Sequence, residues 1–257
     1  MTPPGKPWPK KTKNLISQEN VHVDQALKTP QFYLLWWVLC LNVTAGIGVL
    51  GQASAMSQEM FQGRITAVAA AGFVGLLSLF NMAGRFIWAS TSDYIGRRNT
   101  YMVFFLLGIL LYAAVPTTAR IGSVTLFVLC YAVILSMYGG GFSTIPAYLK
   151  DIFGTRYVGA IHGRLLTAWS AAGIFGPVLV NYIRQYQIDH GVSKADAYTV
   201  TMYIMAGLLF VGFLCNAMMR PVGEHHHMKA QQAEIGGRQS WPTGIATRRR
   251  HRVTPSS

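Results

Sequence analysis

Six stretches of this sequence, residues 29–58, 65–84, 99–119, 121–149, 165–183 and 197–219, contain no Asp, Glu, Lys or Arg. Each is close to the roughly 17–25 apolar residues that a helix needs to cross the hydrocarbon of a bilayer. A backbone in lipid must satisfy its own N–H and C=O groups, which only helices and closed barrels achieve. These runs lack the period-two alternation of a barrel strand. The expected fold is therefore all-α and integral to the membrane, with six transmembrane helices. Composition agrees, since 12% of the residues are charged, against about a quarter in soluble domains.

The formal net charge of +13 would suggest nucleic acid on a soluble chain. Here the basic residues lie between the apolar runs. With six spans the termini share a side, and that side holds sixteen Lys and Arg: Lys6, Lys10, Lys11, Lys13, Lys28, Arg97, Arg98, Lys150, Arg156, Arg220, Lys229, Arg238, Arg248, Arg249, Arg250 and Arg252. The other side holds four, Arg64, Arg120, Arg184 and Lys194, while Arg85 and Arg164 fall near or within the membrane. The excess places both termini in the cytoplasm of a cell (inner) membrane protein. The basic tail "TRRRHRVTPSS" lacks interleaved aromatics, so it reads as a cytoplasmic flank near lipid, with no nucleic-acid partner. The opening thirty residues are polar and contain Pro3, Pro4, Pro7 and Pro9, unlike a signal peptide. Residues 1–30 are expected as a cytoplasmic segment, 31–220 as the membrane domain, and 221–257 as a basic, disordered tail.

Cys40, Cys130 and Cys215 fall inside spans without metal-like spacing, and read as packing residues. His225, His226 and His227 are adjacent and read as solvated tail, so neither metal nor cofactor is expected. Small residues recur at helix-packing spacing: Gly72 and Gly75, Gly159 and Gly163, and Ala171, Ala172, Gly173 and Gly176. Gly176-Pro177 is expected to bend the fifth span, and Gly139 to Gly141 with Pro146 to loosen the fourth, although packing alone would also account for each glycine.

Two features carry candidate chemistry. Arg85 sits among Phe, Ile, Trp and Met in "NMAGRFIW", and a charge at membrane depth is costly enough to mark a functional site by default. Asn81 lies one turn earlier on the same face. A guanidinium beside an amide suits capture of a carboxylate by two parallel hydrogen bonds; snorkelling to the cytoplasmic surface is the alternative. In "SDYIGRRN", Asp93 can pair with Arg97 or sit at a helix N-terminus, Gly96 permits a tight turn, and Arg97 and Arg98 hold the cytoplasmic side.

"STSDYIGRR" resembles the loop signature of the major facilitator superfamily, with Ala89 in place of the first glycine and Tyr94 in place of a basic residue. "TPQFYLLWWVLCLNVTAGIG", "NMAGRFIW", "YGGGFSTIPAYLKDIFGT" and "GRLLTAWSAAGIFGPVLVNYI" are similar to the seventh, eighth, tenth and eleventh helices of its oxalate/formate antiporter family. "PPGKPWPK" resembles that family's central cytoplasmic loop. The similarity runs from about residue 3 to about residue 220. Members have twelve spans, so the resemblance implies one half of the superfamily fold, the C-terminal six helices.

It further implies a secondary carrier rather than an enzyme, with its site at the midplane between halves and transport by rocking. The expected partners are a small organic anion, a coupling proton or counter-anion, the lipid bilayer, and an N-terminal six-helix half or a second copy. Asp93, Gly96, Arg97 and Arg98 would form a latch against the opposite domain. In the family's oxalate carrier an eighth-helix arginine and an eleventh-helix lysine embrace the two carboxylates of the substrate; Arg85 matches the first, and the second aligns to Trp169. One cation fewer favours a monocarboxylate. Tyr33, Trp36, Gln52, Tyr138 and Tyr148 are further candidates for the pathway, and His162 for a proton. A truncated, non-transporting remnant or interaction module is the competing reading.

Overall fold

The computed structural model describes residue 17 and residues 19–228. The prolines of the opening segment and nearly all of the basic tail, from Lys229 onward, lie outside the described residues. Seven long or medium helices follow a short α1 (Val23–Ala26): α2 (Pro30–Met60), α3 (Ala67–Ile95), α4 (Arg97–Arg120), α5 (Val124–Phe153), α6 (Val158–Leu165), α7 (Thr167–Asp189) and α8 (Ala197–Ala217). Among the described residues, six segments are long and apolar enough to cross a membrane, α6 and α7 together making the fifth.

The ends are set by local chemistry. Thr29, Thr66 and Ser123 each accept a hydrogen bond from a backbone N–H of the first turn of α2, α3 and α5, satisfying a donor that the helix cannot. Pro30 follows Thr29 at the first helical position, where a missing N–H costs nothing. Gly96 and Gly154 stop α3 and α5 at φ +86° and +82°, a region open to glycine without a side-chain clash. At about 1.5 Å per residue, the 31 residues of α2 outrun the ~30 Å hydrocarbon, so α2 tilts or projects beyond it.

Helices α2 and α5 are mostly buried, whereas α3 and the α6–α7 segment present mainly outward surface. Tyrosine hydroxyls tie the interior together: Tyr112 on α4 donates to the Ala45 carbonyl of α2 at 2.7 Å, and Tyr101 on α4 to the Gly141 carbonyl of α5 at 2.7 Å. Where no hydrophobic effect drives helices together, such bonds and close backbone contacts hold the bundle.

Close packing uses only some of the small residues expected to provide it. Gly176 packs on Thr44 and Gly48 of α2, and Ala172 is buried, but Gly72, Gly75, Gly159, Gly163 and Gly173 face open space. Gly139, Gly140 and Gly141 all serve contacts, against Asn81, Trp88 and Asn42, and α5 runs unbroken through them and past Pro146. The fifth span is interrupted at Leu166, between α6 and α7, rather than at Pro177. Packing of Gly176 against α2 holds the helix where the proline withdraws a hydrogen bond.

The two ends of the bundle are distinct. At the terminus end, Val21 N–H donates to the Phe153 carbonyl, Arg164 pairs with Asp24 at 3.1 Å, and Val21 forms an antiparallel bridge with His227. The histidine run is thus not free tail: Glu224–His226 form a 3-10 turn leading into that bridge. At the other end, Arg64 donates to the Gly122 carbonyl, and Glu59 of α2 receives Arg184 of α7 and the Tyr198 hydroxyl of α8. Cys40, Cys130 and Cys215 are free thiols.

Candidate anion-binding face

Glycines bring α3 onto α5. A methyl group on Gly84 would overlap the Ser136 carbonyl, one on Gly139 would overlap the Asn81 carbonyl, and one on Gly140 would meet the Trp88 side chain. The seam is pinned by Trp88 Nε1 donating to Ser136 Oγ at 3.2 Å and Ser143 Oγ donating to the Arg85 carbonyl at 3.0 Å. Arg85, next in chain to the buried Gly84, therefore emerges at the edge of the α3–α5 contact.

Its guanidinium carbon lies 4.9 Å from the centroid of the Phe142 ring, a cation–π distance. Phe142 meets Trp169 edge-on at 4.9 Å, and Trp169 lies 5.7 Å from Tyr138. The Tyr138 ring in turn covers Gly46, where a methyl group would collide with it. Arg85, Phe142, Trp169 and Tyr138 thus form one cationic-aromatic surface carried by α3, α5 and α7 and backed by α2. α7 is fixed there by Trp36 Nε1, which donates to Thr167 Oγ1 at 2.9 Å, and by the Gly48–Gly176 contact.

The cation–π contact with Phe142 is not a hydrogen bond, so it does not use up the guanidinium's N–H donors. Among the described residues no carboxylate or carbonyl engages them. Asn81 is turned differently: its Oδ1 is enclosed over Gly139 without a hydrogen-bond partner, pointing into the seam. Of the other candidates, Tyr148 is buried and donates to Asn216 Oδ1 at 3.0 Å, a structural role away from this face. His162 lies on α6 with Nε2 enclosed and unbonded. Among the described residues no three His, Cys, Asp or Glu converge on a metal position.

The α3–α4 corner pairs its own charges and is tied to the end of α8. Asp93 pairs with Arg97 within the corner, Arg97 also donates to Ser92 Oγ at 2.9 Å, and Gly96 makes the turn. Asp93 lies in the last turn of α3, so the ion-pair alternative is the one realised. Arg98 points inward and donates to the Asn216 and Ala217 carbonyls at 3.4 and 2.6 Å, neutralising the negative end of α8.

Phe142 was not foreseen, although it stands four residues after Tyr138 and so shares its face; the intervening glycines masked the pair. Glu59, Arg184 and Tyr198 were also missed, because each charge lies just past a charge-free run and reads as its boundary.

A six-helix membrane bundle with an uncompensated arginine on an aromatic face defines a class of polytopic proteins, and comparison with known sequences narrows it. Residues 1–177 match the Major Facilitator Superfamily, and the chain belongs to that family. Its six spans make up one half of the superfamily's membrane fold. It is 32% identical over 162 residues to the oxalate:formate antiporter of Oxalobacter formigenes, covering 63% of this chain and 38% of that protein. It is 24% identical over 226 residues to the apicoplast pyruvate carrier 1 of Toxoplasma gondii, covering 84% and 39%. An apicoplast pyruvate carrier 2 from the same organism is 30% identical over 122 residues, covering 47% and 18%. The chain thus matches two fifths or less of the length of these relatives.

Proposed function

We propose that this chain forms the substrate-binding half of a secondary carrier for small organic anions, with a monocarboxylate as the preferred class. The observation that carries this reading is Arg85: a permanent cation on a membrane face, over the Phe142 ring with its N–H donors uncommitted. A carboxylate supplies two parallel acceptors for that edge and cancels the charge that makes the position costly. α7 contributes Trp169 and no cation to the same face. A single carboxylate is therefore paired while an apolar remainder packs on the rings. The names of the relatives, an oxalate:formate antiporter and pyruvate carriers, are of the same chemical class.

Residues 31–220 serve as the transport unit, both termini lie in the cytoplasm, and the membrane is the cell membrane. The opposing wall comes from a further six helices or from a second copy, against which the Asp93–Arg97 corner docks. A coupling proton or counter-anion accompanies the substrate, and no covalent chemistry is performed.

The test is uptake of labelled formate, lactate, pyruvate and oxalate into proteoliposomes containing the chain, beside equilibrium binding to the purified protein followed by tryptophan fluorescence. Saturable binding of a monocarboxylate that Arg85→Ala removes is the expected result. Binding that persists in Arg85→Ala, or none in a well-folded sample, overturns the reading.

A further inference from the structure

At the terminus end the segment before α2 is strapped between two partners. On one side the Val21 N–H donates to the Phe153 carbonyl at 3.0 Å and Asn20 Oδ1 accepts from the Arg156 N–H at 3.1 Å, which ties the strap to the link between α5 and α6. Gly154 makes room for it, since a methyl group there would overlap Asn20 and the Glu19 carbonyl. On the other side the Met228 N–H donates to the Asn20 carbonyl at 3.0 Å, and Val21 forms its bridge with His227. Val21, Val23, Ala26 and Val222 are buried, so both segments are seated on the bundle.

The far side of this join is built from three consecutive histidines. The rings of His225 and His226 lie 4.0 Å apart at their centroids, and His227 Nδ1 is enclosed without a hydrogen-bond partner. A protonated imidazole donates from both nitrogens, so a proton on that atom would have no acceptor. Burial, then His225 and His227, then Lys28 from the link into α2 hold His226 below the ordinary histidine value. The other titratable and charged groups of these segments are Glu19, His22 and Asp24 on the strap, Arg156 and Tyr157 after α5, and Arg220 and Glu224 after α8. Asp24 is committed to Arg164 and His22. Three added positive charges beside Lys28 exceed what Glu19 and Glu224 balance.

We infer that the two segments flanking the membrane domain form an acid-released clasp, closed while His225, His226 and His227 are neutral and opened when they take up protons. The sign follows from linkage. A histidine held below its ordinary value of about 6.5 binds fewer protons in the closed clasp than in the open one. Closure is therefore strongest above that pH and weakens as pH falls through it. Opening releases the cytoplasmic ends of α5 and α6, which the strap holds through Phe153, Arg156 and Arg164. The clasp does not depend on what the bundle carries.

Amide hydrogen exchange of the purified full chain in detergent reads closure directly, because the Val21 and Met228 N–H groups are bonded across the clasp. Rates are compared at about pH 7.5 and about pH 5.5 after correction for the pH dependence of chemical exchange. Each histidine that must lose its proton for closure weakens the clasp about tenfold one pH unit below 6.5. Protection at Val21 and Met228 is thus expected to fall by about tenfold or more at the acid pH, while amides in the middle of α5 keep theirs. In His225→Gln/His226→Gln/His227→Gln the fall is expected to vanish. Equal protection at both pH values in the wild-type chain would overturn the clasp, as would a fall that survives in the triple variant or one that His22→Gln alone abolishes. Should the triple variant stand open at neutral pH, His226→Gln alone must reduce the fall, and an undiminished fall then overturns the assignment.

Discussion

The carboxylate of Glu59 on α2 and the guanidinium of Arg184 on α7 meet in a two-point contact, with Glu59 Oε2 also accepting from the Tyr198 hydroxyl of α8 at 2.9 Å. Three helices are thereby joined at the end of the bundle opposite the termini. Both charged side chains are about one-fifth exposed, too buried for the negligible worth of a surface pair. Their bidentate geometry adds direction to the attraction.

Glu59→Ala is therefore expected to destabilise the bundle by about 1–3 kcal/mol, since it leaves Arg184 and Tyr198 partly buried without their acceptor. Thermal unfolding in detergent measures it. The double variant Glu59→Ala/Arg184→Ala is expected to melt no lower than the worse single variant, because the two residues act as a unit. Additive losses would show that they act separately.

The α3–α5 seam makes a sharper demand on shape. Gly84→Ala places a methyl group on the Ser136 carbonyl, and Gly139→Ala places one on the Asn81 carbonyl; backbone cannot yield as the end of a flexible side chain can. Each substitution is expected to cost about 1–3 kcal/mol by overpacking and to displace Arg85 from Phe142. Gly72→Ala, where the added methyl group meets nothing, is the control and is expected to leave the melting temperature unchanged. A Gly84→Ala protein as stable as Gly72→Ala would refute the close approach.

Much of this fold was legible because lipid leaves so few choices. An apolar run without charges satisfies its backbone in lipid only as a helix or a closed barrel, and the missing alternation left the helix; the capping residues Thr29 and Thr66, which set the starts, were not singled out. Arg85 stood out as a candidate for the same reason, since a charge beside an apolar run must either snorkel to the surface or serve a purpose. What periodicity could not supply was which glycines meet a neighbour. Gly72 and Gly84 lie on one helix, yet only the second has another backbone against it. Nor could it show that Asn81 turns its carbonyl into the seam while Arg85, one turn on, turns outward; rotation of a helix about its axis is set by its neighbours. Charges at the ends of runs, Glu59 and Arg184, were hidden because a boundary and a partner look alike in sequence.

Arg85 itself can be tested at fine grain. Arg85→Lys keeps the charge but loses the planar fork that lies over Phe142. It is expected to weaken monocarboxylate binding by about tenfold, equivalent to ~1.4 kcal/mol, whereas Arg85→Ala removes binding. Equal affinities of Arg85→Lys and wild type in a fluorescence titration would show that a point charge suffices and that the planar fork is incidental.

The last prediction turns on Trp169. It faces Phe142 and Tyr138 on the surface that carries Arg85, so a cation placed there would stand across the rings from the first. Trp169→Lys is expected to reverse selectivity: oxalate gains a partner for its second carboxylate, while a monocarboxylate loses its aromatic wall and meets an unpaired ammonium. An interaction between charge and partner at a desolvated site is worth several kcal/mol. The ratio of oxalate to formate affinity should thus rise by at least about tenfold. Competition of the two anions in a binding assay measures this ratio without requiring transport. If Trp169→Lys binds formate as before and oxalate no better, residue 169 lies outside the substrate's reach, and the aromatic patch serves packing alone.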